Sequence, residues 1–432
     1  MYVTLPVGDE RFEVELDLPA AQITVAEKSI TRPPRELEDL SEEALQNPMG
    51  TPKLCEHDLK GKKVAIMVDD KTRPTPAYRI IPYVLKELKQ AGVHDDDISF
   101  VAASGEHFPI MNREELVQKV GVETVERYHV IAHDGFDWEE LVFRGFTNLG
   151  TPIWVNKTVA ESDFKIAIGR IALHSGCGYE GGAKMILPGV SSLETITRNH
   201  AMFLSPNAGV GTLDENPGRT DAEDAAGIVG LDFILNIVCE KRGRDFWGVS
   251  GHYITAHRAG VQFGDEHVWG AAIPEKADIT IAAPGGGPTS QSEAFNGMAA
   301  QTAGFGTKPG GSLILLRSSK DVEDGTPSGP LDNMDFEDVL RHYEKRNWQL
   351  SRHEYCTTRR QVGAQHRLRA PFWGRHVTLV GGKVPEGVLR QCGMKHTASL
   401  EEAVSEAVDR HGKEARVVVL PEAAATLPVP PR

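Results

Sequence analysis

Short apolar runs of strand length alternate with helical patterns through most of this chain. VAIMV at 64–68, ISFVAA at 98–103 and FKIAIG at 164–169 are rich in apolar and β-branched residues and predict buried strands. Residues 77–92 place apolar side chains at helical spacing and end in Gly92, a typical position for a helix to stop. Strands that alternate with helices favour mostly parallel sheets with helices on both faces, so we predict an α/β protein.

The alternation continues in a second series after a change of pattern at residues 270–276, where SLILLR at 312–317 again predicts a strand. A chain of 432 residues also exceeds what one hydrophobic core usually supports. We therefore predict two α/β domains with mostly parallel, Rossmann-like sheets and an active-site cleft between them. The predicted units are a first domain at 1–272, a second domain at 273–412, and a strand and tail at 413–432 that pack back on one of the two.

Local patterns add further structural predictions. Alternating apolar positions from Val3 to Leu16 predict a β-hairpin at the N-terminus. Asn112 precedes a helical pattern and is a typical N-cap, and two more helices are predicted near 335–345 and 399–411. Pro82 interrupts the pattern of the early helix, where it is expected to kink that helix or delay its start.

The net charge and the length of the apolar runs exclude some classes of function for this protein. The formal net charge is −14, so the chain offers too little positive charge for a nucleic-acid scaffold. Its longest apolar runs are far too short to cross a bilayer, and its first ten residues show no secretory signal. The five cysteines stand apart without a CxxC pair, which is typical of a reduced, cytoplasmic protein. A small anionic substrate is compatible with the net charge, because a local Arg or Lys can override it.

The segment GRIALHSGCGYEGGAKMILPGVSSLETITRNH at 170–200 holds the densest set of chemically useful residues. His174 is followed ten positions later by Lys184, and His200 closes the helix-like run that comes next. Glycine N–H groups can cradle anions, a histidine can bind a metal or move a proton, and a lysine can form a covalent adduct with a cofactor. We predict a cofactor site here, with an ordinary structural loop as the alternative. A folded loop must then bring His174 and Lys184 together.

Two other loops that follow predicted strands carry candidate residues. Arg73 offers a planar guanidinium suited to a carboxylate or phosphate, and Asp70 could hold that group in place. A surface ion pair ahead of a helix explains these two residues equally well. His107 lies just past a predicted strand, where functional residues gather in this fold class, although a lone loop histidine is often a bystander. Cys177 either touches a cofactor or simply fills space in its loop.

Taken together, these motifs resemble those of the nickel-pincer lactate racemase family. The match is carried by D-x-T-R-P at 70–74, G-x-H at 105–107 and H-S-G-C-G-Y-E-G-G-A-K-x-x-L-P-G-V-S-S at 174–192, then by His200 and the pair Trp348-Gln349. The motifs lie in order over nearly the whole chain, and the one at 174–192 is specific. The resemblance implies a racemase or epimerase of a 2-hydroxy acid.

The resemblance also implies a cofactor and a role for each matched residue. The family uses a nickel pincer nucleotide, a pyridinium-3,5-bisthiocarboxylic acid mononucleotide that coordinates nickel. Lys184 resembles the lysine that attaches this cofactor covalently, and His200 resembles the protein's ligand to nickel. His107 and His174 resemble the paired acid/base histidines, and Arg73, with Asp70 behind it, resembles the group that meets the substrate. The other cofactor-binding candidates are Gly176, Gly178, Gly181, Gly182 and Trp348.

The implied chemistry is reversible hydride transfer. Hydride moves from the substrate to the cofactor and returns to the other face of a 2-keto acid intermediate. One histidine removes the hydroxyl proton of one enantiomer, and the opposite histidine serves the mirror substrate. A protein of this kind depends on the enzymes that synthesise the cofactor.

One stretch departs from the family's pattern. Lactate-specific members carry Tyr-Gln-x-x-Lys early in the second domain, and its Gln and Lys help to hold the substrate. The corresponding stretch here contains Glu293 and Asn296, and no Lys or Arg occurs from 277 to 307. Because Glu293 would repel a substrate carboxylate, we expect a 2-hydroxy acid other than lactate, whose polar tail meets Glu293 and Asn296. Misalignment of this short stretch is the alternative explanation.

Two other classes of function are compatible with the same motifs. A net oxidoreductase could use the same hydride chemistry with a cosubstrate, and a noncatalytic relative could bind the nucleotide or a hydroxy acid. The noncatalytic class is disfavoured, because a binding protein would not need both His107 and His174.

Overall fold

The computed structural model describes residues 1–28, 30–107, 110–205, 207–240, 244–285, 298–317, 374–382 and 393–430. The predictions for Glu293, Asn296 and Trp348, and for a helix near 335–345, lie outside the described residues. Within the described residues, no helix combines the length and the apolar character needed to cross a membrane.

The described residues form strands and helices that alternate along much of the chain. In chain order the strands are β1 (Tyr2–Val7), β2 (Glu10–Glu15), β3 (Ile23–Val25), β4 (Val64–Asp69), β5 (Ile98–Ala103), β6 (His129–Ala132), β7 (Leu141–Phe146), β8 (Pro152–Asn156), β9 (Phe164–Ile171), β10 (Leu173–His174), β11 (Gly178–Tyr179), β12 (Phe233–Cys239), β13 (Asp245–Gly251), β14 (Gly270–Ala272), β15 (Ala277–Ala282), β16 (Thr307–Leu316), β17 (His376–Val380), β18 (Met394–Thr397), β19 (Val417–Leu420) and β20 (Leu427–Val429). The helices are α1 (Leu37–Gln46), α2 (Ala77–Gln90), α3 (Arg113–Val120), α4 (Val122–Arg127), α5 (Lys157–Glu161), α6 (Leu193–Ala201), α7 (Pro217–Val229), α8 (Thr255–His267), α9 (Met298–Gly306) and α10 (Leu400–His411).

The first large sheet has the strand order β13-β12-β9-β4-β5-β6. All of its neighbouring pairs are parallel except β12 with β13, which are antiparallel. Alternate residues of β9 enter two different apolar clusters: Ile166 and Ile168 pack in one, and Ala167 and Ile171 in the other. The central strand is therefore buried on both faces, as its continuous apolar run predicts.

The second large sheet has the strand order β18-β17-β16-β15-β19-β3, and all of its pairs are parallel. The predicted α/β class with mostly parallel sheets is therefore confirmed. The outermost strand, β3, comes from the N-terminus, and Ile23 pairs with Val417. The N-terminal hairpin of β1 and β2 forms as predicted, and its Leu5 and Leu16 pack in the core of this second sheet.

The N-terminal segment packs in the second core, and the predicted C-terminal strand and tail contact both cores. Residues 1–25 belong to the second core rather than to the predicted first domain, because the apolar sides of the hairpin and of β3 are buried there. In the opposite direction, β20 pairs in parallel with β14, and Leu427 packs in the core of the first sheet.

Local signals for helix ends match the structure. Asn112 caps α3: its side chain accepts a hydrogen bond from the backbone N–H of Glu115, whose carboxylate accepts in return from the N–H of Asn112. Helix α2 runs through Pro82, which lies one turn into the helix and does not delay its start at Ala77. Gly92 adopts a positive φ of 82° just beyond the end of α2, as expected of a residue that stops a helix.

Candidate active site

The catalytic and metal-binding candidates gather around one cavity at the carboxyl end of the first sheet. The cavity has a volume of about 200 Å³ and forms where β4, β5 and β9 end. Loops that follow parallel strands meet at this edge, which explains why residues far apart in sequence come together. The sequence-predicted side chains that line the cavity are Asp70, Arg73, His107, His174, Lys184 and His200.

His107 is held by a buried carboxylate. Its Nδ1 lies 2.6 Å from Oδ2 of Asp70 and 3.3 Å from Oγ1 of Thr72. Asp70 is only 2% exposed, and its other carboxylate oxygen accepts hydrogen bonds from the backbone N–H and the hydroxyl of Thr72. Burial alone would raise the pKa of Asp70, but the hydrogen bonds from His107 and Thr72 outweigh it and lower that pKa. A proton on Nδ1 of His107 is therefore favoured, and Nε2 is left as the base.

His174 is held by the backbone of its own loop. Its Nδ1 accepts hydrogen bonds from the N–H groups of Gly176 and Cys177, each at 3.0 Å. Two donors that converge on Nδ1 oppose a proton there, so the neutral ring carries its proton on Nε2. The short antiparallel pair of β10 and β11 closes this loop by pairing His174 with Gly178.

Arg73 is oriented by Glu180 rather than by Asp70. Its Nε donates to Oε1 of Glu180 at 2.8 Å, while Asp70 contacts His107 and Thr72. Asp70 makes no direct hydrogen bond to the guanidinium and reaches it only through Thr72, whose hydroxyl accepts from Nη1 of Arg73 at 2.7 Å and donates to Asp70 at 2.6 Å. The second carboxylate oxygen of Glu180 accepts from Nε of Arg170 at 2.5 Å.

Glu180 and Arg170 are cavity residues that the sequence analysis missed. Burial would raise the pKa of Glu180, but the positive charges of Arg73 and Arg170 outweigh burial and lower it to about 2. The signals were an acidic residue inside a glycine-rich loop and an arginine at the end of a buried strand. Neither signal indicates its partner, because the pairing joins three separate loops.

Lys184 extends into the cavity from a short 3-10 helix at Gly182–Met185. Loss of solvation lowers the pKa of its ammonium group to about 8. A larger fraction of this amine than of an ordinary lysine is therefore uncharged near neutral pH, and the uncharged amine is the form that attacks an electrophile. The loop brings Lys184 and His174 to one cavity, as predicted from their ten-residue separation.

His200 reaches the cavity from the last turn of α6. Ser192 caps the start of this helix by accepting from the N–H of Thr195, which fixes where the helix begins. The Nδ1 of His200 lies 3.1 Å from Oδ1 of Asn199, and its ring packs 4.4 Å from the ring of Phe203. Its Nε2 is 3.9 Å from Oε1 of Glu106, so this nitrogen points to the cavity side.

The glycines of the loop serve mainly to let the chain pack against itself. The N–H group of Gly176 donates to His174, and that of Gly182 donates to Asn236. These two N–H groups are therefore not available to bind an anion, contrary to the prediction. Gly178 has a φ of 77°, and a Cβ there would lie 1.8 Å from the carbonyl oxygen of Thr212. Of the four predicted glycines, Gly181 alone lines the cavity. Cys177 is fully buried and is not among the residues that line it.

Comparison with known proteins gives matches over most of the chain. A lactate racemase N-terminal domain model matches residues 8–211, and a lactate racemase C-terminal domain model matches residues 273–427. The lactate racemase of Lactiplantibacillus plantarum is 31% identical over 391 residues, which is 88% of this chain and 88% of that protein. The lactate racemase of Thermoanaerobacterium thermosaccharolyticum is 32% identical over 292 residues, or 67% of each chain.

A solved structure agrees with the sequence matches. The structure of the lactate racemase apoprotein from Thermoanaerobacterium thermosaccharolyticum matches with a TM-score of 0.76 and 26% identity. The match covers 99% of this chain and 100% of that one, so both α/β units are included.

Proposed function

The chain belongs to the lactate racemase family, a family of isomerases, and we propose that it interconverts the two configurations of a small 2-hydroxy acid at the carbon that bears the hydroxyl group. The observation that carries the proposal is the single cavity lined by His107, His174, Arg73, Lys184 and His200. These side chains supply two proton-transfer groups, an anion-binding group, an amine and a metal ligand. Inversion of a hydroxyl-bearing carbon by hydride transfer to a covalently attached metal cofactor would need such a set in one place.

The side chains present fit a nickel pincer nucleotide. The amine of Lys184 has a pKa of about 8 because it is poorly solvated, so it is suited to covalent attachment. A single imidazole, that of His200, suits a metal that arrives with sulfur and carbon donors from its own cofactor. When bound, the cofactor would accept hydride from the substrate and return it, with a 2-keto acid as the intermediate.

The residues of the chain would handle the proton and the carboxylate. Nε2 of His107 is the unprotonated nitrogen of a ring fixed by Asp70, so it can take the hydroxyl proton of one enantiomer. In the tautomer that its loop favours, Nε2 of His174 carries the proton, so it can donate a hydrogen bond to the substrate oxygen. For His174 to take the hydroxyl proton of the mirror enantiomer, its ring proton must first leave Nε2. In each direction the histidine that took the proton returns it to the oxygen as the product alcohol forms. Arg73 offers its guanidinium end to the substrate carboxylate while Glu180 fixes its Nε.

We place the substrate among 2-hydroxy acids other than lactate. The support is the absence of any Lys or Arg from residue 277 to 307 and the presence of Glu293 and Asn296 where lactate-specific members carry Gln and Lys. This stretch therefore offers no cation to a substrate carboxylate. A hydroxylated substrate tail would instead be able to form hydrogen bonds with the carboxylate of Glu293 and the amide of Asn296.

The test is an assay of protein produced together with the enzymes that synthesise the cofactor. Optical rotation would be followed for each pure enantiomer of lactate and of longer and hydroxylated 2-hydroxy acids. We expect racemisation or epimerisation of a longer acid, nickel in the purified protein, and an increase in intact mass located at Lys184. Net accumulation of 2-keto acid only with a cosubstrate would indicate an oxidoreductase instead. Fastest turnover of lactate would overturn the substrate assignment alone.

A further inference from the structure

Arg170 is a buried cation whose Nε is paired and whose Nη1 has no partner among the described residues. It lies near the carboxyl end of β9 and is 9% exposed. Its Nε donates to Glu180, whereas its Nη1 is buried and has no hydrogen-bond partner among the described residues. A buried guanidinium donor without a partner is costly, so such groups in native proteins usually indicate a missing ligand or water.

Arg219 shows how this chain treats an arginine that is purely structural. It is fully buried, and all three kinds of guanidinium nitrogen donate to backbone carbonyls of the glycine-rich loop, those of Cys177, Gly181 and Tyr179. The two arginines lie in the same part of the molecule, and one is satisfied completely by the protein. The unpaired end of Arg170 is therefore not a general property of buried arginines here.

Glu180 forms equivalent ion pairs with Arg170 and with Arg73. One carboxylate oxygen accepts from Nε of Arg73 and the other from Nε of Arg170. Each guanidinium group is thus held through its Nε by Glu180. Both arginine side chains line the active-site cavity and also an adjoining cavity of about 310 Å³. Two cations share one carboxylate, so these three side chains together carry a net positive charge, and the nearby Asp69 carboxylate is already paired with Lys119. This balance of charge favours an anion between or beside the two arginines.

We propose that Arg170 is a second anion-binding residue of this site, and that Glu180 is a positioning residue that presents Arg170 and Arg73 together to one oxyanion group. The group recognised is a carboxylate or a phosphate, both of which accept paired hydrogen bonds from a guanidinium. Within the proposed function, the source is either the substrate carboxylate or the phosphate of the mononucleotide cofactor. The identity of the ligand rests on that function, whereas the anion site follows from the side-chain geometry alone.

The experiment is a calorimetric titration of the full-length protein made without cofactor, a form in which a relative has been solved. The probes are inorganic phosphate, nicotinic acid mononucleotide and lactate. The main variant is Arg170→Gln, which leaves Glu180 paired with Arg73 and therefore strands no carboxylate. Arg127→Gln is the matched control, because it removes an arginine from an exposed ion pair with Asp95.

We expect Arg170→Gln to weaken binding of at least one probe by about tenfold or more, with the control within about twofold of the wild type. Weaker binding of phosphate and mononucleotide with lactate unchanged assigns the residue to the cofactor phosphate. Weaker binding of lactate assigns it to the substrate carboxylate. Unchanged affinity for all three probes, or a wild type that binds none of them, would overturn the anion site.

Two further variants keep the test decisive if Arg170→Gln does not fold. Arg170→Lys retains the charge without the planar fork and should bind with an intermediate affinity. Glu180→Asp retains the negative charge but shortens the reach of the carboxylate, so it loosens the alignment of both arginines and should weaken the same probe by a smaller factor. Equal affinity of both variants and the wild type for every probe would contradict the proposal. Racemisation by the cofactor-loaded enzyme is measured separately, so failure of the proposed function would leave these binding results interpretable.

Discussion

The two candidate acid/base histidines are held in opposite ways. His107 donates from Nδ1 to the Asp70 carboxylate, whereas Nδ1 of His174 accepts from two backbone N–H groups. The same imidazole is thereby fixed as one tautomer on the strand-end loops and as the other on the glycine-rich loop. At Nε2 the chain thus obtains a proton acceptor in one ring and a hydrogen-bond donor in the other, and the difference comes from the partners of Nδ1.

The comparison also shows that the two histidines depend on different parts of the sequence. The state of His107 depends on one side chain, so a single carboxylate substitution should alter it. The state of His174 depends on backbone conformation, so glycine substitutions in the loop should alter it.

Replacement of either histidine should have the largest effect. His107→Gln and His174→Gln should each lower racemisation by about 10²- to 10⁴-fold, the usual contribution of a general acid or base. Formation of enzyme-bound 2-keto acid from each pure enantiomer, measured in a single turnover, should show opposite preferences in the two variants. His129→Gln, at an exposed position on β6, is the control. Equal impairment of both variants with both enantiomers would contradict the division of roles.

Substitution of Gly178 should disrupt the loop that holds His174. A Cβ at this position would lie 1.8 Å from the carbonyl oxygen of Thr212, in addition to the strain of a φ of 77°. Gly178→Ala should therefore lower the free energy of unfolding by about 3 kcal/mol or more. Gly61→Ala is a matched control, because Gly61 has a φ of 71° and nothing within 4 Å of an added Cβ. Its expected cost in urea denaturation is about 1 kcal/mol, and equal costs would show that packing against Thr212 is unimportant.

Substitution of Asp70 should make the two histidines more alike. An asparagine can donate to Nδ1 of His107, which would move the ring proton to Nε2 and leave no base there. Asp70→Asn should lower racemisation by about 100-fold, within the range seen when a histidine is forced into the wrong tautomer. The intact-mass increment at Lys184 should stay unchanged, because Asp70 does not hold the amine. Asp95→Asn, an exposed carboxylate, should retain full activity.

The contribution of Asp70 to the acid sensitivity of stability should be the smallest of these effects. Because its folded-state pKa is lowered from the ordinary value of 3.8, Asp70 stabilises the protein above that pH. The contribution is lost as the pH falls through the lowered value. Urea denaturation at pH 6 and pH 3 should therefore show a smaller loss for Asp70→Asn than for the wild type.

Much of the fold follows from local patterns in the sequence. The apolar runs of β4, β5 and β9 predict the parallel sheet, and parallel strands bring His107, Arg73 and the glycine-rich loop to one edge. The placement of β3 was not predictable, since three residues carry too little pattern to indicate a partner almost 400 positions away. The link from Glu180 to two arginines was missed for the same reason, because long-range ion pairs leave no periodic signal.

The pairing of β3 with β19 has a consequence for folding during synthesis on the ribosome. Ile23 emerges almost 400 residues before its partner Val417. At a translation rate of about 5–20 residues per second, the N-terminal strand waits for tens of seconds before its neighbour exists. During that interval the first sheet can form alone, while the opening segment must avoid pairing with other chains.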